Sequence, residues 1–458
     1  MPSNSEKSAE KDGAIIRRLI RGGGFAFLGK LITYPLGLIL TMVFARVLST
    51  ADVGGYFLAM SMIMLASGLV QAGLATTMNK VIARSLAHDN HLAVRKTLRI
   101  GLVALVLMGS LAAILLISEP GAWLIGQLED GQSLLDGILW IAVLVLVFAG
   151  VNYCCEILRG FHDLPSAALL DQQLLQRLLL LLGLLIPLAA HRQLTLVEVL
   201  EISAATAFAA LLVGLFFISR HISRMGHHGE SIDTVDVLKE APTFLLVRIN
   251  TWILNSAAIW VLGFARPLED AAFYGAANAV ALLVLASWQV VSSALGPTIV
   301  TLHAANNRSI LESVLRSAAA IASIPGLALA ILLLIFGEQI LSVLFTPEYA
   351  DAVTILAVLI IGRSISTLFG TPMILLSMTH HQDIVLRVLV IASMLTVGGY
   401  FLVAEPYGAI GVAAVSAASV VFQALVLATV AHHVLGLNTL PKLSISGWRG
   451  LIRLVLKA

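Results

Sequence analysis

Apolar runs of about 20 residues recur along the whole chain, each ended by charged residues or by glycine and proline, and about twelve can be counted. A helix of that length matches a hydrocarbon layer of about 30 Å, and such a layer admits only backbones that satisfy their own amides. The runs lie near 24–48, 53–77, 100–118, 137–157, 167–189, 199–219, 243–264, 271–300, 317–336, 351–377, 385–403 and 409–434. Hydrophobic residues make up 59% of the 458 positions and charged residues 12%, which excludes a soluble globular domain. The expected fold is all-α and polytopic.

Orientation follows from the basic residues. Of 28 Lys and Arg, only Arg46, Arg192 and Arg266 fall in connections on one side of the membrane; apart from four inside the spans, the others share the side of the N-terminus. Basic short loops stay in the cytoplasm, so both termini are expected there. Residues 1–22 and 437–458 alternate Arg or Lys with apolar residues, as interfacial helices or ordinary positive-inside flanks do. The stretch 220–242 is rich in charge and reads as a cytoplasmic linker, dividing 23–219 from 243–436.

These two blocks are related. Phe44-Ala45-Arg46-Val47-Leu48 recurs as Phe264-Ala265-Arg266-Pro267-Leu268, and the same offset pairs Gly55 with Gly275 and Leu65-Ala66-Ser67 with Leu285-Ala286-Ser287. Six spans separate the copies, so both enter the membrane in the same sense. Two lobes of six helices about a pseudo-twofold axis along the membrane normal are expected, with a ligand between them.

Four cations, Lys30, Arg177, Arg248 and Arg363, lie inside the spans. Each costs roughly 2.5 to 3.5 kcal/mol at a helix centre, a burden that points to an anion held between helices. Projected at 100° per residue, Lys30 shares a face with Thr33, Tyr34, Gly37 and Thr41, and Arg248 with Thr251, Trp252, Asn255 and Ser256. Gln172, Gln173, Gln176 and Arg177 form a third stripe, Arg363, Ser366, Thr367 and Gly370 a fourth, and Gly275, Asn278, Gln289 and Ser293 a fifth. The glycines and Ser293 suit tight helix packing. The candidate ligand set is Lys30, Tyr34, Gln173, Gln176, Arg177, Arg248, Trp252, Asn255 and Arg363. An arginine fork matches phosphate oxygens, so a diphosphate is a fitting ligand, and the amide and aromatic groups suit sugar rings.

Other chemistries find little support. Cys154 and Cys155 are adjacent in one span and read as packing residues. His227 and His228 lack a third ligand at metal spacing, and no phosphate-binding G-x-x-x-x-G-K-[ST] loop occurs, so neither metal nor nucleotide cofactor is expected. No outer loop exceeds roughly 20 residues, too short for an extracytoplasmic catalytic domain, and no enzymatic role is expected. Glu156 and Asp171 are the carboxylates nearest the membrane interior and the candidates for a coupling proton, although Arg159 lies one turn from Glu156.

Arg46-x-Leu48-Ser49-x-x-Asp52-x-Gly54-x-Tyr56, then Gly337-Glu338-x-Ile340 and Phe345-x-Pro347-Glu348-Tyr349-x-x-Ala352, resemble the polysaccharide flippases of the multidrug/oligosaccharidyl-lipid/polysaccharide (MOP) exporter superfamily. The resemblance covers about residues 14–436. It implies a bacterial inner-membrane flippase for an undecaprenyl-diphosphate-linked O-antigen or exopolysaccharide repeat unit, working by alternating access through a cationic cavity beside the polysaccharide polymerase and export machinery. Arg46 and Asp52 are expected to cap and orient the turn between the first two helices. Two other readings stay open at this point: an ion-coupled multidrug or cation antiporter of the same superfamily, which would want an acidic site, and a non-transporting scaffold of polysaccharide assembly.

Overall fold

The computed structural model describes residues 32–33, 35–71, 73–128, 131–226, 241–305 and 307–441, with backbone alone at 241–249, 251, 255, 290, 293, 294 and 297. The described residues are almost wholly helical. Helix α1 runs Pro35–Val47. It is followed by α2 (Thr50–Gln71), α3 (Leu74–Ala87), α4 (His91–Ile117), α5 (Glu119–Gly126), α6 (Gln132–Asp136), α7 (Ile138–Gly160), α8 (Leu164–Leu170), α9 (Leu174–Ala189) and α10 (Leu196–Ile222). The second half contains α11 (Ala241–Ala265), α12 (Leu268–Ala281), α13 (Ala286–Ala304), α14 (Arg308–Leu344), α15 (Val353–Thr367), α16 (Pro372–Met378) and α17 (Gln382–Leu435).

The helix starts are written in the local sequence. Asn90 accepts the Ala93 amide at 3.0 Å to open α4, and Asp163 caps α8 through Ser166. Thr195 and Glu198 form a reciprocal capping box at α10. Apolar residues then cover both the inside and the outside of the bundle. Leu107, Ile186 and Leu402 are 64%, 78% and 78% exposed, a surface that lipid rather than water solvates.

Several spans expected as continuous helices are broken. The fifth is interrupted between α8 and α9, where Gln172 and Gln173 adopt φ of 49° and 55°. The eighth passes through a tighter 3₁₀ stretch, Leu282–Leu285, and the tenth stops at Thr367 before a reversal at Gly370, φ +77°. The stripes that assumed one regular helix through 172–177 and 363–370 are corrected accordingly. Helix α14 contains Pro325 and departs from helical angles at Phe336. The 54 residues of α17 make two crossings, split at Gly408, whose φ of 55° and ψ of −146° belong to glycine.

Arg46, Arg192 and Arg266, expected on one side, share one end of the bundle. Leu194 donates its amide to the Val47 carbonyl at 2.7 Å, and Gly408 abuts the Arg266–Asp270 ion pair. At this end the halves meet tightly. A methyl group on Gly54 would lie 1.8 Å from the Leu268 carbonyl oxygen, so the backbones of α2 and α12 touch because position 54 has no side chain. Arg46 crosses to the Val343 carbonyl at 3.0 Å and Thr50 to Glu348 at 2.5 Å. Arg46 therefore ties the two halves together, beyond the turn-capping role expected of it, while Ser49 and Asp52 do close the turn on each other.

Candidate functional site

Away from that seam the halves part around a cavity of about 320 Å³. Helix α1 contributes Thr33, Gly37 and Thr41, and α2 contributes Tyr56, Phe57 and Met60. The broken fifth span supplies Gln172, Gln173, Gln176 and Arg177, while Ile259, Gly275 and Asn278 come from the second half. No lining residue among those described is acidic. Arg177 reaches across to α1, where a methyl group on Gly37 would stand 3.4 Å from its Nη1.

The second arginine approaches from the opposite half. Arg363 donates through Nη1 to the backbone carbonyl of Asn278 at 3.1 Å and through Nη2 to its side-chain oxygen at 2.5 Å. Asn278 forms the wall, so Arg363 stands one residue behind the surface of the cavity. Deeper in the same half, Tyr274 and Tyr400 share the Ser416 hydroxyl at 2.8 and 2.7 Å.

The remaining candidates separate. Trp252 packs against Gly68 of α2, where a methyl group would lie 1.8 Å from the indole, and it is absent from the lining. Lys30 and Tyr34 lie outside the described residues, as do the side chains of Arg248 and Asn255. The basic segments 1–22 and 442–458 and the His227–His228 pair are outside them too, whereas the start of the tail, Leu437, is buried.

Glu156 and Asp171 converge on one guanidinium. Arg159 Nη1 lies 2.7 Å from Glu156 Oε1 and its Nη2 lies 2.9 Å from Asp171 Oδ1. The second Glu156 oxygen accepts from Asn79 Nδ2 at 2.9 Å. Glu156 is 6% exposed, so its charge is tolerated because the arginine and amide surround it. This clamp ends at Asp171, the residue immediately before the two left-handed glutamines. Such angles cost about 1–3 kcal/mol per residue and persist only where neighbours enforce them.

Gln173 and Gln176 are buried, at 6% and 2% exposure, while Gln172 is open to the cavity. Among the described residues the Gln176 Nε2 has no hydrogen-bond partner, and Gln173 Nε2 meets the Met64 sulfur at 3.8 Å. Helical projection could place these residues near one another, but not the turn that exposes them. A Leu-Asp-Gln-Gln-Leu run carries neither glycine nor proline to mark a break. Asn278 was visible as a polar residue in an apolar span, though its pairing with Arg363 depends on how α12 and α15 pack.

Residues 19–303 match the sequence profile of the family described as "Polysaccharide biosynthesis protein". The chain belongs to this family. No curated protein matches it in sequence. Among solved structures it is similar to an inward-facing multidrug resistance MATE family transporter of the MOP superfamily, with a TM-score of 0.66 at 16% identity over 87% of this chain and 92% of the other. It is similar also to a Vibrio cholerae MATE transporter, TM-score 0.61 at 12% identity, covering 93% and 98% of the two chains. The lipid II flippase MurJ in an inward closed conformation gives 0.58 at 14% identity, covering 88% and 86%. This member of the polysaccharide biosynthesis family is therefore a multi-pass membrane protein with the helical fold of those transporters.

Proposed function

We propose that the protein is a flippase that carries a polyprenyl-diphosphate-linked oligosaccharide from the cytoplasmic to the outer leaflet of a bacterial inner membrane. The observation that carries this reading is the inter-lobe cavity, with Arg177 in one wall and Arg363 directly behind Asn278 in the other. Guanidinium groups from both halves can draw a diphosphate between them, and low dielectric strengthens the attraction. Lys30 and Arg248 belong to the same proposed site. An organic cation would be repelled there, and no described lining residue is acidic.

The positive-inside pattern puts the Arg46–Thr50–Glu348 seam at the outer surface and both termini in the cytoplasm. In this reading the closed seam belongs to the state that admits cargo from the cytoplasmic side. Cargo enters with its diphosphate at the arginines and its prenyl chain left in lipid, and parting of the seam releases the headgroup outward. Glu156 and Asp171 serve Arg159 as ion-pair partners, which favours a structural role for them over proton coupling.

The test is replacement of Arg177 and Arg363 by Ala, singly and together, with lipid-linked oligosaccharide followed in cytoplasmic and outer leaflets. Accumulation in the cytoplasmic leaflet, at normal protein abundance, is expected for each variant. Normal surface polysaccharide in the double variant would reject the site.

A further inference from the structure

Phosphate oxygens only accept hydrogen bonds, so a pocket made for a diphosphate alone needs donors. A carboxamide offers a carbonyl oxygen as well as an amino group, and that oxygen has no use for phosphate. Sugar hydroxyls both donate and accept, and an acetamido group does the same. Three carboxamides side by side in one wall of the cavity carry no charge and offer both donors and acceptors, so they can serve the saccharide portion of a cargo in a way that guanidinium groups cannot.

The geometry singles out these three. Thr41, also in the lining, already donates to the Gly37 carbonyl at 3.0 Å, and Asn278 gives its side-chain oxygen to Arg363. Gln176, by contrast, is 2% exposed with its Nε2 unpartnered among the described residues, and Gln173 Nε2 meets a weak sulfur acceptor. A buried amide donor left open beside a cavity is completed by whatever enters it. Gln172 and Gln173 reach this wall because both residues hold left-handed backbone angles, which side chains other than glycine adopt rarely. Arg159 bridges Glu156 and Asp171 at the edge of this turn and fixes its approach.

We propose that Gln172, Gln173 and Gln176 form a saccharide-reading subsite, distinct from the arginines that hold the diphosphate, and that Arg159 is its positioning residue. This assignment rests on the flippase reading above. It divides recognition in two: the cations respond to any polyprenyl diphosphate, and the amide wall distinguishes a glycosylated one from a bare one.

The experiment uses the full chain in nanodiscs and two probes, undecaprenyl diphosphate carrying one N-acetylhexosamine and undecaprenyl diphosphate without sugar. The unaltered protein is expected to bind the glycosylated lipid about tenfold more tightly, a difference of about 1.4 kcal/mol. Gln172→Ala, at an open position, and Gln176→Leu should each reduce this ratio severalfold with the affinity for the bare lipid unchanged. Arg159→Met should do the same and Arg159→Lys should restore much of the ratio, a rescue that bulk destabilisation would not produce. Equal binding of both lipids by the unaltered protein, or equal weakening of both by the glutamine variants, overturns the subsite. An unchanged ratio in Arg159→Met overturns the positioning role. Binding of neither lipid by the unaltered protein overturns the flippase reading itself.

Discussion

At one end of the interface between the halves, α2 and α12 touch through backbone at Gly54 and Leu268, and the nearby polar groups answer one another: Arg46 to Val343, Thr50 to Glu348, Ser49 to Asp52. Between this seam and the Trp252–Gly68 contact the halves part around the cavity, the backbone at Gln172 and Gln173 is strained, and among the described residues the buried Gln176 amide has no partner. The seam is thus closed by direct bonds across it, although the buried Tyr349 hydroxyl beside Glu348 has no partner among the described residues, whereas the cavity wall leaves the Gln176 amide open to an occupant. A closed contact between two packed bodies needs close approach; a binding surface needs room and polar atoms that an occupant can meet. The same interface serves both purposes by dividing them along its length.

The sharpest way to break this contrast is to add volume where the backbones touch. Gly54→Val would place methyl groups against the Leu268 carbonyl, and overpacking of this kind costs about 1–3 kcal/mol. Thermal unfolding in detergent should fall by several degrees and flipping should be lost, since the seam can no longer shut. A variant with unaltered melting and transport would show that the contact is not required.

A smaller effect is expected from Gly408→Ala, at the positive-φ break of α17 beside the Arg266–Asp270 pair. Strain of about 1 kcal/mol or more should appear as lowered melting, with ligand binding in the distant cavity preserved. Loss of binding in a folded variant would couple the two regions more closely than the contrast allows.

The hydrogen bonds across the seam are at the surface and should matter less. Thr50→Val and Glu348→Gln should each lower stability by about 0.5–1 kcal/mol and combine less than additively, the sign of a direct contact. A cysteine placed at Phe57 should then react faster with a membrane-impermeant thiol reagent added from the seam side. Additive losses and unchanged labelling would remove these residues from the closure.

The smallest effect lies at the opposite end. Burial alone would raise the Asp163 carboxyl, but hydrogen bonds from His221 and from the Ser166 side chain and amide, with the His221 charge, outweigh it and hold the group below the usual aspartate range. A lowered pKa means that its contribution is complete above about pH 4 and disappears as pH falls through the folded value. Asp163→Asn should flatten the acid limb of an unfolding curve below about pH 4 and leave the neutral region nearly unchanged. An identical acid limb in the variant would show that the pair has no energetic role.

The chain's own pattern determined the architecture. Runs of apolar residues long enough for a bilayer force helices, because lipid offers no partner to a bare amide, and the shared offset of Arg46 and Arg266 exposes the duplication. Capping residues such as Asn90, Asp163 and Thr195 mark where helices begin with purely local chemistry. Tertiary structure decided what these helices do to one another. Left-handed glutamines without glycine or proline, an arginine that binds Asn278 from another helix, and a glycine that admits a carbonyl from the other half all depend on atoms far away in sequence. Local preferences differ by around a kilocalorie per residue, so packing overrides them wherever many contacts agree. The membrane-spanning pattern is repeated over hundreds of residues and survives that competition; the shape of the cavity rests on a few positions and does not.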